Sequence, residues 1–373
     1  MLGQGFVKSY GALAVCRTLL GAFEGGFFPG CVYLITCWYV RYETQKRLAA
    51  FYLISALVGG FSAILAYGLM QMEGLSGVRG WQWIFVSSLH ADQRLSSNFQ
   101  QIIEGLLTQV VAIIAWFIII DFPDKAHDKG FLSATEAQFI EQRIEDDRRD
   151  AVADPLTWPK FFHHLKDFKL WCFAFMFMST TMPAYALAYF APVIILGMGY
   201  SAAITQLLSA PPVVFAVASA LTVSWLSDKY RIRSPAIAFQ CIMGIVGLMI
   251  TAYHPNDGVR YFGLFLGQAG CQGNVPSILT YQSNNIRMQS KRAVGSALQI
   301  GFGAIGGIIA STVFRQKDAP QYVPGLWVTT ALQFLILGLL ACTTTYFMRM
   351  NKKVDNGTIE EPIEGCEGFK YTL

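Results

Sequence analysis

The sequence predicts an all-α membrane protein that crosses the lipid bilayer several times. Composition is the first observation: 54% of the 373 residues are hydrophobic and 14% are charged, and the mean hydropathy is +0.41. Soluble domains carry roughly 25% charged residues, so this chain is too apolar to be one. The second observation is a series of long apolar runs, and the third is the uneven placement of lysine and arginine between them. These features predict a lipid bilayer, and no nucleic acid, as a partner.

Nine apolar runs are long enough to span the hydrocarbon core as helices, which takes about 20 residues. They lie at residues 11–39, 48–72, 102–121, 170–197, 203–227, 234–253, 260–283, 294–314 and 326–348. Most lysine and arginine residues lie in alternate connections, and the positive-inside rule places those connections in the cytoplasm. The first residues are therefore predicted outside and the last residues inside.

The runs divide the chain into four predicted parts. These are residues 1–121 with three helices, a cytoplasmic loop at 122–169, six helices in 170–349, and a cytoplasmic tail at 350–373. Within the loop, Ser133 and Glu136 have the spacing of a capping box. We therefore expect an amphipathic helix from about Ala134 to Ala151, with its charged residues forming a solvated face.

Residues 86–101 do not fit the pattern of the first part. They are polar, and they separate two segments that would otherwise form one continuous helix. Codons available for Val86, Ser97 and Gln101 can supply the donor, branch and acceptor signals of a short fungal intron. We interpret the segment as a retained intron translated in frame, and a true extracellular loop is the alternative.

Arg17 and Glu24 place two opposite charges inside the first apolar run. Each charge costs about 2.5–3.5 kcal/mol at the centre of a membrane helix, so such residues usually mark a path for substrate or protons. Seven residues apart, they lie on nearly one face but about 10.5 Å apart along the axis, too far for a direct ion pair. We expect Arg17 to bind an anion and Glu24 to carry a proton, because an apolar setting favours the neutral carboxyl. The alternative is that both only fix helix packing.

Uncharged polar residues in the second half are candidates for further substrate contacts, because carrier sites need a few convergent polar groups in an apolar cleft. They are Tyr185, Tyr189, Asn274, Ser277 and Gln299. Hydrogen bonds between helices are an equal alternative role for them.

Enzymatic chemistry is not indicated. No histidine lies in a spanning run, and the eight cysteines lie singly without metal-ligand spacing. No phosphate-binding glycine loop occurs, and no nucleophile stands out. The sequence therefore predicts no enzyme, no metal and no cofactor other than a proton as coupling ion.

Several motifs resemble those of one family of membrane carriers. They are Arg17-x3-Gly21-x2-Glu24-Gly25-x3-Pro29-Gly30, Arg41-x-Glu43-x3-Arg47, Trp225-Leu-Ser-Asp228-Lys-Tyr-Arg231, Asn285-x5-Lys291-Arg292-Ala293 and Pro320-x-Tyr322-x2-Gly325. The series resembles the major facilitator superfamily, and within it the fungal allantoate permease-like branch of the anion:cation symporters. The resemblance implies about nine transmembrane helices that correspond to helices 4 to 12 of twelve, with the first three lacking. Ala304 departs from the family pattern, which usually has asparagine there.

The resemblance also implies a function. A member of this branch would take up a small organic anion, such as allantoate, nicotinate or pantothenate, with protons, by alternating access. Arg17 would bind the substrate carboxylate, Glu24 would carry the proton, and Asp228 with Arg231 and Arg233 would form the inner gate. We expect a monomer in the plasma membrane. The alternative is a truncated form of such a carrier that does not transport.

Overall fold

The computed structural model describes residues 10–70, 109–119, 130–148, 154–315, 318, 322–358, 362–366 and 368–373. Within these ranges the chain is built from α-helices, and the described residues contain no β-strand. The helices are α1 Tyr10–Glu24, α2 Phe27–Trp38, α3 Thr44–Met70, α4 Gln109–Ile118, α5 Ala134–Arg148, α6 Trp158–His164, α7 Phe168–Leu196, α8 Ala202–Tyr230, α9 Ser234–Tyr253, α10 Asp257–Asn285, α11 Gln289–Val313 and α12 Val323–Asp355.

Each of the nine predicted apolar runs overlaps one of these helices or, in the first run, the pair α1 and α2. In the described ranges, six segments are long and apolar enough to cross a membrane: Ala14–Trp38, α7, α8, α9, α11 and α12. Helices α3 and α10 have similar lengths, and α4 is a shorter apolar helix. The prediction of an all-α polytopic membrane protein is therefore confirmed.

The first apolar run is interrupted at Gly25 and Gly26, between the end of α1 and the start of α2. Glycine is about 1 kcal/mol less favourable than alanine within a helix, which weakens the helix at this pair. Pro29 lies in the first turn of α2, where its missing N–H would have no partner within the helix. The break places Glu24 at the carboxyl end of α1.

The capping box predicted for the central loop is confirmed. The Ser133 amide donates to Oε2 of Glu136 over 2.9 Å, and the Glu136 amide donates to Oγ of Ser133 over 3.3 Å. Helix α5 begins at Ala134, as predicted, and its described part ends at Arg148. The two reciprocal bonds satisfy amides that the first turn of a helix leaves without partners.

Two charged residues of α5 do more than face solvent. Arg143 forms an ion pair with Glu43 at 2.7 Å, and Asp147 accepts from the Arg41 amide over 2.9 Å. Both partners lie between α2 and α3. These two side chains therefore contact the rest of the protein as well as solvent, because the α2–α3 connection packs beside α5.

Helices from the predicted first and second halves are in direct contact. Helix α3 packs against α8 and α10, and α2 packs against α11. Ala49 and Leu53 of α3 share a small apolar cluster with Ala220 of α8. Within the second half, α7 packs on α11 and α9 packs on α10. These contacts position the polar residues at the end of α8, where the two halves meet.

Two predictions about the organisation of the chain are not tested by the structure. Residues 86–101 lie outside the described ranges, so their interpretation as a retained intron stays a prediction. The boundaries of the four predicted parts likewise stay predictions.

Candidate functional site

Asp228 and Arg233, predicted to form an inner gate, make a buried ion pair. Arg233 Nη2 lies 2.7 Å from Asp228 Oδ1, and the two side chains are 0% and 5% exposed. Helix α8 ends at Tyr230, and Arg231 takes a left-handed conformation with φ of 58°. That conformation reverses the chain, so that Arg233 precedes α9 and returns beside Asp228.

The first half of the chain supplies several further partners of this ion pair, and Ser227 of α8 accepts from Arg233 Nη1 over 3.0 Å. The Lys46 amide donates to Asp228 Oδ2 over 3.0 Å. Arg233 donates through Nη1 to Gln45 Oε1 over 2.5 Å and through Nη2 to the Arg41 carbonyl oxygen over 2.8 Å. We call Arg41, Gln45, Lys46, Asp228 and Arg233 the interface cluster. Hydrogen bonds offset part of the cost of burying an ion pair. Several of them here join the two halves, and Arg233 Nε is left buried without a hydrogen-bond partner among the described residues.

Asp228 also lies at the amino end of α3. Its carboxylate accepts from an amide in the first turn of that helix. Helix amino termini carry a partial positive charge and unpaired N–H groups, so they attract anionic side chains. The hydrogen bond from the Lys46 amide to Asp228 would be lost if the α2–α3 connection moved away from α8.

Gln45 extends the interface cluster into the membrane-spanning region. Its Nε2 donates to Ser277 Oγ over 2.9 Å, and Ser277 in turn donates to Gln240 Oε1 over 3.1 Å. Gln45 was not predicted as a site residue. The available signal was its place inside the Arg41-x-Glu43-x3-Arg47 motif, where a glutamine in the first helical turn is flanked by charges.

Arg231, the third predicted gate residue, does not join the Asp228 ion pair. Its side chain is exposed, and its guanidinium lies 5.1 Å from the ring centroid of Tyr42. Arg233 also approaches this ring, at 5.4 Å. Arg231 therefore shapes the turn between α8 and α9 and stacks on the α2–α3 connection.

A cavity of about 630 Å³ adjoins the interface cluster. Four acidic and four basic side chains line it, so their formal charges cancel. The charged lining residues are Glu43, Lys46, Arg143, Asp146, Asp147, Asp228, Lys229 and Arg231.

Arg17 and Glu24 lie on α1, and both side chains are exposed. Glu24 is the last residue of α1, directly before the Gly25–Gly26 break. The structure does not bring either residue together with the polar candidates of the second half. Their predicted roles in anion and proton binding stay predictions.

Tyr185 and Tyr189 form a stacked pair on α7, with ring centroids 6.1 Å apart. Their side chains are half exposed, at 45% and 55%. Two prolines, Pro183 and Pro192, lie inside α7 around the pair. Proline removes a backbone donor within a helix, so carbonyl groups near the tyrosines lose their usual helical partners.

Asn274 and Gln299 are fully buried and bond to neighbouring helices. Asn274 Nδ2 lies 3.2 Å from Cys241 Sγ on α9, and Gln299 Nε2 donates to the Ile278 carbonyl over 3.3 Å. Together with the Ser277 bonds, these are interhelical hydrogen bonds, the alternative role that the sequence left open. Their use by a substrate stays a prediction.

Among the described residues, no group of three or more histidine, cysteine, aspartate or glutamate side chains is arranged to hold a metal ion. The site defined so far is instead an ionic contact between two parts of a helical membrane protein. The apolar helices and the polar contacts between them define the class as polytopic α-helical membrane proteins.

Comparisons with known proteins identify the family. A model of the Major Facilitator Superfamily matches residues 102–311. The chain is 30% identical to the major facilitator-type transporter hxnP of Emericella nidulans, over 95% of this chain and 68% of that protein. The chain therefore belongs to the Major Facilitator Superfamily, a family of transporters.

Two further comparisons bear on function and fold. The high-affinity nicotinic acid transporter of Saccharomyces cerevisiae is 27% identical over 94% of this chain and 62% of its own length. The solved structure of the proton:xylose symporter XylE matches 82% of this chain and 65% of that chain, with a TM-score of 0.56 at 14% identity. The similarity to XylE shows only a shared fold. The chain spans about two thirds of the length of the curated relatives it matches.

Proposed function

We propose that this protein is a proton-coupled secondary transporter that carries a small organic anion by alternating access between two helical halves. The observation that carries the proposal is the interface cluster, in which Arg233 and Asp228 of the second half bind the start of α3. Alternating access needs a contact between halves that is made in one state and broken in the other. The Asp228–Arg233 ion pair is the contact we propose for this role, because its hydrogen bonds to the first half would break when the halves separate.

The proposed substrate is a carboxylate such as nicotinate, allantoate or pantothenate. Arg17 would bind the carboxylate bidentately, and Glu24 would take up the coupled proton. The motif around these residues supports assignment to the allantoate permease-like branch, and the similarity to a nicotinic acid transporter is consistent with that class of substrate.

Tyr185 and Tyr189 are the second-half residues we favour as substrate contacts, because their side chains are accessible on α7. Asn274, Ser277 and Gln299 are bonded between helices in this state. We assign them the role of fixing α10 and α11 against their neighbours.

We further propose a monomer in the plasma membrane, with residues 350–373 in the cytoplasm. The orientation rests on the distribution of lysine and arginine in the sequence. It places the interface cluster on the cytoplasmic side, so the structure corresponds to a state closed toward the cytoplasm. A proton is the coupling ion, and no bound cofactor is proposed.

One observation favours a second candidate function. Arg17 and Glu24 are exposed on α1 and do not face the other candidate site residues. This arrangement is what a member of the family that does not transport would show. Such a protein would keep the helical fold and the interface cluster without a complete substrate site.

Uptake by whole cells distinguishes the two candidates. Yeast cells expressing the full chain should take up one of the three labelled carboxylates faster than cells with an empty vector. Arg17→Ala should lower that uptake about tenfold or more at limiting substrate, because hydrogen bonds to a charged partner are worth about 1.5–3 kcal/mol. Thr18→Ala is the matched control, because Thr18 is the exposed neighbour of Arg17 and its hydroxyl bonds to the Ala14 carbonyl within α1. Normal surface expression without uptake would favour the second candidate.

A further inference from the structure

The segment that follows α12 is buried, although it is short and carries several polar residues. We call residues 363–366 and 368–373 the tail segment. Most of its described side chains are buried, including Ile363, Phe369, Tyr371 and Thr372, which are 4% to 6% exposed. Segments at chain ends are ordered only when specific contacts hold them. Specific contacts must therefore hold the tail segment against the helices.

An ion cluster anchors the beginning of the tail segment. The Glu364 side chain is 1% exposed and lies 2.8 Å from Lys291 Nζ. It also contacts Lys169 Nζ, and Asp167 Oδ2 lies 2.6 Å from Lys291 Nζ. Two acidic and two basic groups thus neutralise one another at the start of α7 and α11, as buried charges require.

Two asparagines bind the backbone at the end of the tail segment. The Tyr371 amide donates to Asn351 Oδ1, and Asn351 Nδ2 donates to the Tyr371 carbonyl, both over 2.8 Å. The Thr372 amide donates to Asn285 Oδ1 over 2.8 Å, and Asn285 Nδ2 donates to the Thr372 carbonyl over 3.2 Å. Each side-chain amide pairs with both backbone groups of one residue. These bonds fix the end of the tail segment to α10 and α12.

The tail segment also reaches the interface cluster from both sides. The Arg233 amide donates to the Leu373 carbonyl oxygen over 2.7 Å. The guanidinium carbon of Arg41 lies 4.7 Å from the ring centroid of Phe369, and Arg41 Nη1 lies 3.4 Å from the Lys370 carbonyl oxygen. Arg41 belongs to the first half, whereas Arg233 and the anchoring asparagines belong to the second.

We propose that the tail segment is a latch that stabilises the closed state of the interface cluster. It is anchored on the second half through Glu364, Tyr371 and Thr372, and it presents Phe369 to Arg41 of the first half. When the α2–α3 connection moves away, the anchors can remain while the contact between Phe369 and Arg41 is lost. The latch therefore adds stability to the closed state alone. This inference rests on the proposed alternation between two halves.

Hydrogen exchange of the purified full chain in lipid nanodiscs tests the latch without any substrate. The amides of Arg41 and Lys46 are reporters, since they bond to Asp147 and Asp228 in the closed state. Phe369→Ala and Asn351→Ala should each speed exchange in the peptides that contain these amides at least about threefold. Lys370→Ala is the matched control, because it removes a side chain paired with Asp355 and keeps the carbonyl group that faces Arg41.

The outcomes separate the latch from the proposed function. Asp228→Asn, which disrupts the interface cluster itself, should speed exchange of the same amides. If it does so while Phe369→Ala and Asn351→Ala leave their exchange unchanged, the latch is refuted and the interface cluster stands. If the tail variants speed exchange and Asp228→Asn does not, the latch stands and the proposed gate fails. An equal effect of Lys370→Ala would also overturn the latch.

Discussion

Arg233 is a buried cation whose partners come from both halves of the chain. Taking such a charge out of water costs several kcal/mol, and only a counter-charge with additional hydrogen bonds offsets that cost. Asp228 provides the counter-charge, and Gln45 provides a further acceptor. Because Gln45 lies on α3, separation of the halves must be accompanied by new solvation of the guanidinium. In the proposed mechanism, this solvated arrangement is the second state of the interface cluster.

His164 is another buried titratable residue. It lies at the end of α6, outside the spanning helices. Its Nε2 lies 2.9 Å from Ser290 Oγ, and Ser290 donates its own proton to Asp154. Ser290 must therefore accept from an Nε2–H group of His164. Burial, and then the positive charges of Lys291 and His163, lower the pKa of His164 below its ordinary value of 6.5, while Asp154 and Glu364 act in the opposite direction.

The lowered pKa predicts a loss of stability in mild acid. Below pH 6.5 the unfolded chain binds a proton at His164 while the folded chain does not, so the free energy of unfolding falls as pH drops toward the native pKa. His164→Gln should reduce this dependence. The measurement is the thermal midpoint of the purified protein between pH 7.5 and 5.5. His163→Gln, at the neighbouring position, should retain most of it, because burial is the largest cause of the lowered pKa of His164. Identical pH profiles for His164→Gln and the unmodified protein would contradict this account.

At the level of residues, the sequence predicted part of the site. Asp228 and Arg233 were predicted together because they occupy one short motif at the end of an apolar run. The bond between Gln45 and Ser277 was not predicted, because it joins polar residues far apart in the sequence. Which buried polar groups meet depends on how whole helices pack, and local patterns do not specify that.

Helix α10 shows that local sequence patterns also fail to specify how a whole helix packs against its neighbours. Its apolar run was long enough to predict a spanning helix, but almost all of its polar residues are buried as well. Glycines allow this helix to approach α9 closely. A Cβ atom added at Gly270 would lie 2.5 Å from the Gln240 carbonyl oxygen, in steric overlap. Small residues at such positions permit the close backbone approach that is common between membrane helices.

Gly270→Ala should therefore destabilise the bundle. The obstructing atoms belong to the α9 backbone, so relief requires the two helices to separate, and overpacking of this kind typically costs about 1–3 kcal/mol. Gly338→Ala in α12 is the matched control, because a Cβ atom there meets nothing within 4 Å. Fluorescence-detected size-exclusion chromatography after heating should show a lower midpoint for Gly270→Ala alone. A midpoint at least as high as that of Gly338→Ala would contradict the packing described here.

For the whole molecule, the sequence predicted the class of protein but not how the tail segment packs against the helices. Long apolar runs and charge placement predicted a polytopic helical protein, and the family match agrees with the resemblance. The burial of the tail segment was not predicted. Its short polar sequence looks like a solvated end, and its order comes from Asn285, Asn351 and Lys291, which precede it in separate helices. Such contacts exist only once the bundle has formed.

The arrangement also assigns separate tasks to separate regions. In the proposed mechanism the interface cluster and the tail segment act at one side of the bundle, whereas the proposed coupling residues Arg17 and Glu24 lie on α1. The proposal therefore predicts that proton coupling is separable from opening and closing. A variant that cannot bind the proton should still exchange substrate across the membrane, but it should lose the ability to concentrate it.

Transport by purified protein in liposomes tests this central claim most directly. The full chain should accumulate labelled carboxylate above its equilibrium level only when a proton gradient is imposed, and it should exchange internal for external substrate without one. Glu24→Gln should retain exchange and lose accumulation. Accumulation by the unmodified protein that is independent of the gradient, or undiminished uphill uptake by Glu24→Gln, would contradict the account.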